Sequence, residues 1–249
     1  MPEMCVENLP DRPPCCYNEL EISTMLKKPP LKKPLSISQI EAAVEFWNEN
    51  GWEREAEEFA QLRKCFPKPQ DGVTLKAIVL NTLYNTNVIA ILGAAECLKR
   101  TLNAGYSTGP DLVEQLVAEI KKVTKMENYV FVAKFAHFFI DQDLPILDKY
   151  AEAMVHAHLG KANRSTEQKR YLRFAKDVAN LKALACLTCN CAQLDSYLWV
   201  AGEYWGWKKK PTLRISKDMS GHFERVEQSP ENERALRTLL GIGLSGADA

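Results

Sequence analysis

Residues 131–139 read FVAKFAHFF, a run of nine that is aliphatic or aromatic throughout except for one lysine and one histidine. Wound as a helix, such a run is apolar on every side, and a helix of that kind has to be enclosed by other elements. The rest of the chain supplies a helical enclosure. Helical periodicity runs over 40–47 and over 53–65, where Phe59 and Leu62 share a side, and a long apolar segment covers 73–98. Pro110 suits a first helical turn, and Leu112, Val113, Leu116, Val117 and Ile120 form a stripe behind it. Ser165 and Gln168 have capping-box spacing and predict a basic helix through Leu187. A further apolar segment covers 194–207, and Ser229, Pro230 and Glu231 announce a short last helix. Strand signals are confined to TLRIS and HFERVEQ around a turn at DMSG, which predict one small C-terminal β-hairpin. The expected fold is mainly α, with nine or ten helices.

With 249 residues and 46% hydrophobic content, the chain can bury a substantial core. Residues 1–35, rich in proline and carrying KKPPLKKP, read as an extended tail; 36–207 read as the helical domain and 208–249 as an extension. A net charge of zero argues against a protein wrapped uniformly in nucleic acid. The distribution is polarised, however: 39–60 holds seven Glu against Arg54 alone, and 161–222 holds twelve Lys or Arg against five acids. A chain so divided can turn a local basic surface towards phosphates, although solvated helix faces would give the same pattern. No apolar run reaches the roughly twenty residues of a membrane span and no signal peptide is indicated, so an intracellular protein with free thiols is expected. Cys186, Cys189 and Cys191 in CLTCNC resemble metal ligands at first sight. Their spacing splits them across a helix without a fourth ligand nearby, so small buried side chains are expected and no metal. Motifs for phosphate-cradling loops, dinucleotide binding, GxSxG hydrolases and HExxH metalloproteases do not occur in the sequence.

A helix places Lys134 and His137 on one face. A lysine there either extends its head to water or accepts desolvation, which makes a neutral, nucleophilic amine. Pro145 breaks the helix, and Asp148, just before KYAEAMVHAHLG, is a natural N-cap for the next one. Two helices joined so tightly pack close, which would turn amine and carboxylate towards one cleft as a nucleophile with an electrostatic partner. Taken alone, Asp148 reads as a cap.

The block YVFVAKFAHFFIDQDLPILDKYAEAM, residues 129–154, resembles the catalytic core of the helix-hairpin-helix DNA glycosylases, in particular the 8-oxoguanine type and its compact microbial relatives. NTLYNTNVIAI at 81–91 and LDSYLWVAGEYWG at 194–206 resemble companion segments, and the likeness extends over 36–207. It implies two packed helical subdomains with a cleft and a monomeric DNA glycosylase with abasic-site lyase activity. Such an enzyme has no cofactor, acts on a flipped nucleotide, and would be cytoplasmic and nucleoid-associated. By the same resemblance Lys134 attacks the anomeric carbon, Asp148 assists, and His137 is a candidate proton shuttle. Tyr84, Phe135, Trp199 and Trp205 are candidate walls for the base, with ordinary core as the alternative. Asn81, Asn85 and Asn87 either bind a base edge or cap a helix break. The hairpin segment KKVTKMENYVFVAK lacks the family's glycine-rich turn, so Lys121, Lys122 and Lys125 would have to grip phosphate by side-chain charge. Lys208, Lys209 and Lys210 in WKKKP are further candidate phosphate contacts. Oxidised guanine is the family's default substrate. A modified base of foreign viral DNA, removed in defence, fits equally, and a non-catalytic DNA-binding or interaction protein on the same scaffold is the remaining alternative.

Overall fold

The computed structural model describes residues 35–49 and 53–209 and, beyond them, 221, 223–225, 228, 229 and 236. The described residues contain nine named helices: α1 Ile37–Glu49, α2 Glu53–Cys65, α3 Val73–Leu83, α4 Ile91–Asn103, α5 Pro110–Thr124, α6 Tyr129–Phe139, α7 Lys149–Leu159, α8 Arg170–Leu184 and α9 Cys191–Lys209. The fold is mainly α, as periodicity predicts. The expected tail, up to residue 34, lies outside the described residues, as do the first predicted strand at 212–216 and Pro230 and Glu231 of the predicted last helix. The second predicted strand does not form, because 223–225 is helical. Its Phe223 is buried against Tyr204 and Trp207 of α9, with ring centroids 5.1 and 5.6 Å apart, and that tertiary contact overrides the local alternation. No described helix is long and apolar enough to cross a membrane.

Helix α6 is enclosed as its composition demands: it packs on α2, α3 and α5, and every residue from 131 to 139 is buried. Helix α9 lies against α1 and α7, while α8 bridges α5 and α7. The stripe on α5 is buried at all five predicted positions, behind Pro110 in the first turn.

Three local devices aim the side chains that matter. The apolar segment at 73–98 is two helices, not one, because Asn85 and Asn87 take left-handed backbone at φ 47° and 56°, which asparagine tolerates better than most residues. Asn81 pins the break: its Oδ1 accepts from Val88 N at 3.0 Å and from the Thr86 hydroxyl at 2.7 Å. That leaves Tyr84 at the C-cap of α3. The link from α6 to α7 is held at both sides of Pro145, with His137 Nδ1 2.8 Å from the Leu144 carbonyl and the Tyr171 hydroxyl donating to the Pro145 carbonyl at 2.8 Å. Asp148 then caps α7, its Oδ1 accepting from Tyr150 N and Ala151 N at 2.8 Å each.

The third device corrects the predicted capping box. Helix α8 starts at Arg170, not Ser165, and its N-cap Lys169 offers no side-chain acceptor. Glu114 of α5 substitutes from across the core, with Oε1 accepting from Tyr171 N at 2.7 Å and Leu172 N at 3.3 Å while Oε2 accepts from the Tyr129 hydroxyl at 2.9 Å. Ser165 instead forms a local turn with Glu167. Truncating Glu114→Ala would strand those donors and is expected to cost about 2 kcal/mol in urea unfolding, with Glu114→Gln losing distinctly less. Equal losses in the two variants would refute this capping role.

Candidate active site

Two lysines are buried among the described residues, and they differ. Lys76 is fully buried, and its Nζ donates to the Phe66 and Lys68 carbonyls at 2.9 Å each, so its head is consumed in holding a loop. Lys134 is 7% exposed, and among the described residues its Nζ has no hydrogen bond or ion pair at contact distance. Its neighbour is the Tyr84 ring, with Nζ 3.5 Å from the centroid. That ring is stacked with Phe59 at 5.6 Å and Phe138 at 5.7 Å, so α2, α3 and α6 together build the floor under the amine.

Four carboxylates act on this amine without touching it. Burial lowers the Lys134 pKa, opposed by Asp148, Asp195, Glu55 and Glu203 in falling order. Asp148 comes from the head of α7, Glu55 from α2, and Asp195 and Glu203 from α9. Burial raises the Asp195 pKa and the Asp148 charge raises it further, against the pull of Lys134. Glu203 is pushed up to about 8, first by burial and then by Asp148. Glu55 is also raised by burial, with Lys134 opposing. Asp195 Oδ1 and Glu203 Oε2 are buried without a hydrogen-bond partner among the described residues. One amine cannot neutralise four carboxylates in a poorly solvated site, and Glu55, Asp195 and Glu203 are pushed towards their protonated forms.

Lys134 is buried, and Asp148 is the strongest of the carboxylates that act on it. The other expected residues divide. His137 is a core histidine whose Nδ1 is taken by the Leu144 carbonyl, and burial depresses its pKa, which argues against a proton shuttle. Phe135 is fully buried against Phe131 and Phe139, so it is core and not a wall for a base. Asn85 and Asn87 are exposed turn residues, and Asn81 holds the helix break. Trp199 is half-buried on α9, one turn from both Asp195 and Glu203, with Trp47 set edge-on at 5.0 Å; Trp205 is half-buried against the core. Of the phosphate candidates, Lys121 pairs with Glu127 at 2.6 Å, Lys122 pairs with Glu119, and Lys125 Nζ donates to the Lys122 carbonyl. Exposed pairs of this kind are worth about 1 kcal/mol or less and can be exchanged for a phosphate. The Lys208 ammonium stands 5.4 Å from the Trp207 ring, whereas the Lys209 side chain and Lys210 lie outside the described residues. Cys186 is exposed in a turn at φ 51°, against the expectation of a buried helical residue, while Cys189 is buried and the Cys191 thiol donates to the Asp143 carbonyl.

Sequence reasoning missed Glu55, Asp195, Glu203 and Tyr150. The visible signal was Asp195 and Glu203, two acids in the largely apolar stretch 194–207 of α9. Glu55 lay hidden in an acidic run. Tyr150 is buried at the first turn of α7, where Gly202 and Gly206 of α9 ride over it: a Cβ on Gly202 would stand 2.7 Å from Tyr150 Cβ, and one on Gly206 3.2 Å from its ring.

The raised acid has a measurable consequence. Glu203 titrates near 4.5 when unfolded and near 8 when folded, so over that interval the native state keeps a proton that the unfolded chain has released. Stability should therefore fall as pH rises from 4.5 to 8. Glu203→Gln removes this component, and between pH 5 and pH 8 the variant should lose about 2 kcal/mol less than the parent in urea unfolding. Parallel declines in both proteins would show that Glu203 titrates normally.

Comparison with protein-family models, curated proteins and solved structures finds no match to this chain.

Proposed function

We propose that the protein is a lysine-dependent DNA glycosylase with abasic-site lyase activity, acting on a damaged or modified base. The observation that carries this reading is the Lys134 amine: buried, depressed in pKa and without a hydrogen bond or contact ion pair among the described residues, it is set over an aromatic ring with Asp148 as its strongest electrostatic partner. A structural lysine is saturated, as Lys76 is. An amine left unsaturated in a desolvated site is suited to attack carbon.

The chemistry follows from the groups present. A base leaves the stack at a cost of a few kcal/mol, and its deoxyribose reaches the amine. Neutral Nζ attacks C1′ as the C1′–N glycosidic bond breaks; the departing base carries off the bonding pair and takes up a proton. The Asp148 carboxylate offsets positive charge growing on the sugar, because its Oδ1 is fixed by the two α7 amides before the reaction begins. The nitrogen then gives up a proton while the C1′–O4′ bond opens with protonation of O4′, leaving an imine. Water hydrolyses the imine to an abasic site and restores the amine. Loss of a C2′ proton with departure of the 3′ phosphate instead nicks the strand.

Borohydride in the presence of an abasic-site oligonucleotide should trap the imine as a covalent protein–DNA adduct. Mass spectrometry of bases released from a panel of DNAs carrying oxidised, alkylated or bulky modified bases should identify the substrate. A protein that forms no adduct and releases no base would be a DNA-binding or interaction protein on this scaffold, and the proposal would fall.

A further inference from the structure

The proposed chemistry leaves open what sets the pH at which Lys134 becomes a nucleophile. We propose that Glu203, placed by the close approach of α9 to Tyr150, is a positioning residue that tunes the proton state of Lys134. The inference deepens the glycosylase reading and rests on Lys134 as its nucleophile.

The arrangement is mechanical before it is electrostatic. Gly202 and Gly206, one turn apart on α9, allow the helix to close onto Tyr150 where any Cβ would meet that residue's Cβ, carbonyl or ring. Glu203 follows Gly202 directly and is therefore placed by the same close approach. Tyr150 in turn is held on two sides: its backbone amide donates to Asp148 Oδ1 at 2.8 Å and its ring lies under the Lys149 ammonium at 4.6 Å, while its hydroxyl faces the Glu203 carboxylate. The second Glu203 oxygen, Oε2, is buried with no hydrogen-bond partner among the described residues. A buried carboxyl with a bare oxygen is costly when charged and cheap when protonated. It is poorly built as a structural ion pair and well built as a switchable charge.

The charges facing the pair come from every side. Lys134 is acted on by Asp148 of α7, by Asp195 and Glu203 of α9 and by Glu55 of α2, with the Tyr84 phenol of α3 beneath it. Glu203 is acted on by Asp148, Lys149 and Tyr150 of α7 and by Lys134 of α6; α1, on the other flank of α9, contributes no charge to it among the described residues. While Glu203 is protonated, the amine faces one carboxylate fewer and releases its proton more easily. Once Glu203 ionises, its charge holds the proton on the amine.

The test is the titration of the amine itself. Reductive methylation with formaldehyde and borohydride, followed at Lys134 by peptide mass spectrometry across pH, reads that titration without DNA; adduct trapping with an abasic oligonucleotide reads it in the reaction. Glu203→Gln keeps an acceptor for the Tyr150 hydroxyl and removes the ionisation. Its labelling midpoint should move down by about half a pH unit or more, which is about threefold faster labelling below the midpoint. Tyr150→Phe keeps the ring under Gly206 but removes the hydroxyl that favours the ionised Glu203, so it should shift the same way by less. Unchanged midpoints in both variants would overturn the role of Glu203, whether or not adducts form. A shift in labelling in a protein that forms no adduct would uphold the coupling and sink the glycosylase reading instead.

Discussion

Replacing Lys134 by methionine should abolish the borohydride-trapped adduct and lower base release by at least about 10³-fold, the scale on which loss of a covalent nucleophile acts. Methionine keeps the unbranched stem against Tyr84 and Phe138 and deletes only the amine. The fold should survive, because burial works against the charged form of Lys134 and no hydrogen bond or contact ion pair among the described residues is lost with it. The change in stability should itself depend on pH. At pH 5, with the buried acids of α9 protonated, the variant should match or exceed the parent in urea unfolding. By pH 9 that margin should shrink, because a folded-state amine with a lowered pKa gives up its proton before the unfolded chain does and the parent gains stability as pH rises. A variant that still forms the adduct would remove this lysine from the chemistry, and a variant unfolded at pH 5 would make Lys134 a structural residue like Lys76.

Asp148 should separate into two functions by substitution. In Asp148→Asn the side-chain oxygen still accepts from the Tyr150 and Ala151 amides, so α7 stays capped and stability should change by less than about 1 kcal/mol. The charge facing Lys134 is gone, and base release should drop by about 10² to 10³-fold, as for other losses of transition-state electrostatics. Asp148→Ala should show the same kinetic loss plus about 1 kcal/mol of destabilisation from the missing cap. An Asp148→Asn protein with unaltered kinetics would reduce this residue to a helix cap and leave the amine without its principal partner.

Much of the framework was legible in the primary structure, for reasons that are local. Pro110 and the stripe behind it, the helix at 53–65 and the cap at Asp148 depend on residues a few positions apart, and all three stand as periodicity and capping chemistry require. The burial of α6 was legible too, because no amphipathic arrangement of FVAKFAHFF exists. Where expectation failed, a distant partner had intervened. The start of α8 is governed by Glu114, more than fifty residues upstream, and no local pattern around Ser165 could reveal it. The helical turn at 223–225 follows Tyr204 and Trp207, not the alternation of its own residues.

The same division runs through the site. The sequence alone determined that a lysine would be carried on a helix with no polar face and that an aspartate would head the next helix, because periodicity and capping are properties of neighbours along the chain. Only the tertiary structure decided what surrounds them. Glu55, Asp195 and Glu203 come from helices remote in sequence and act on Lys134 only because the fold brings those helices near it, and Gly202 and Gly206 let α9 close onto Tyr150. A proton affinity is a sum over charges and solvent in space, so the reactivity of this amine could be written only once the helices had packed.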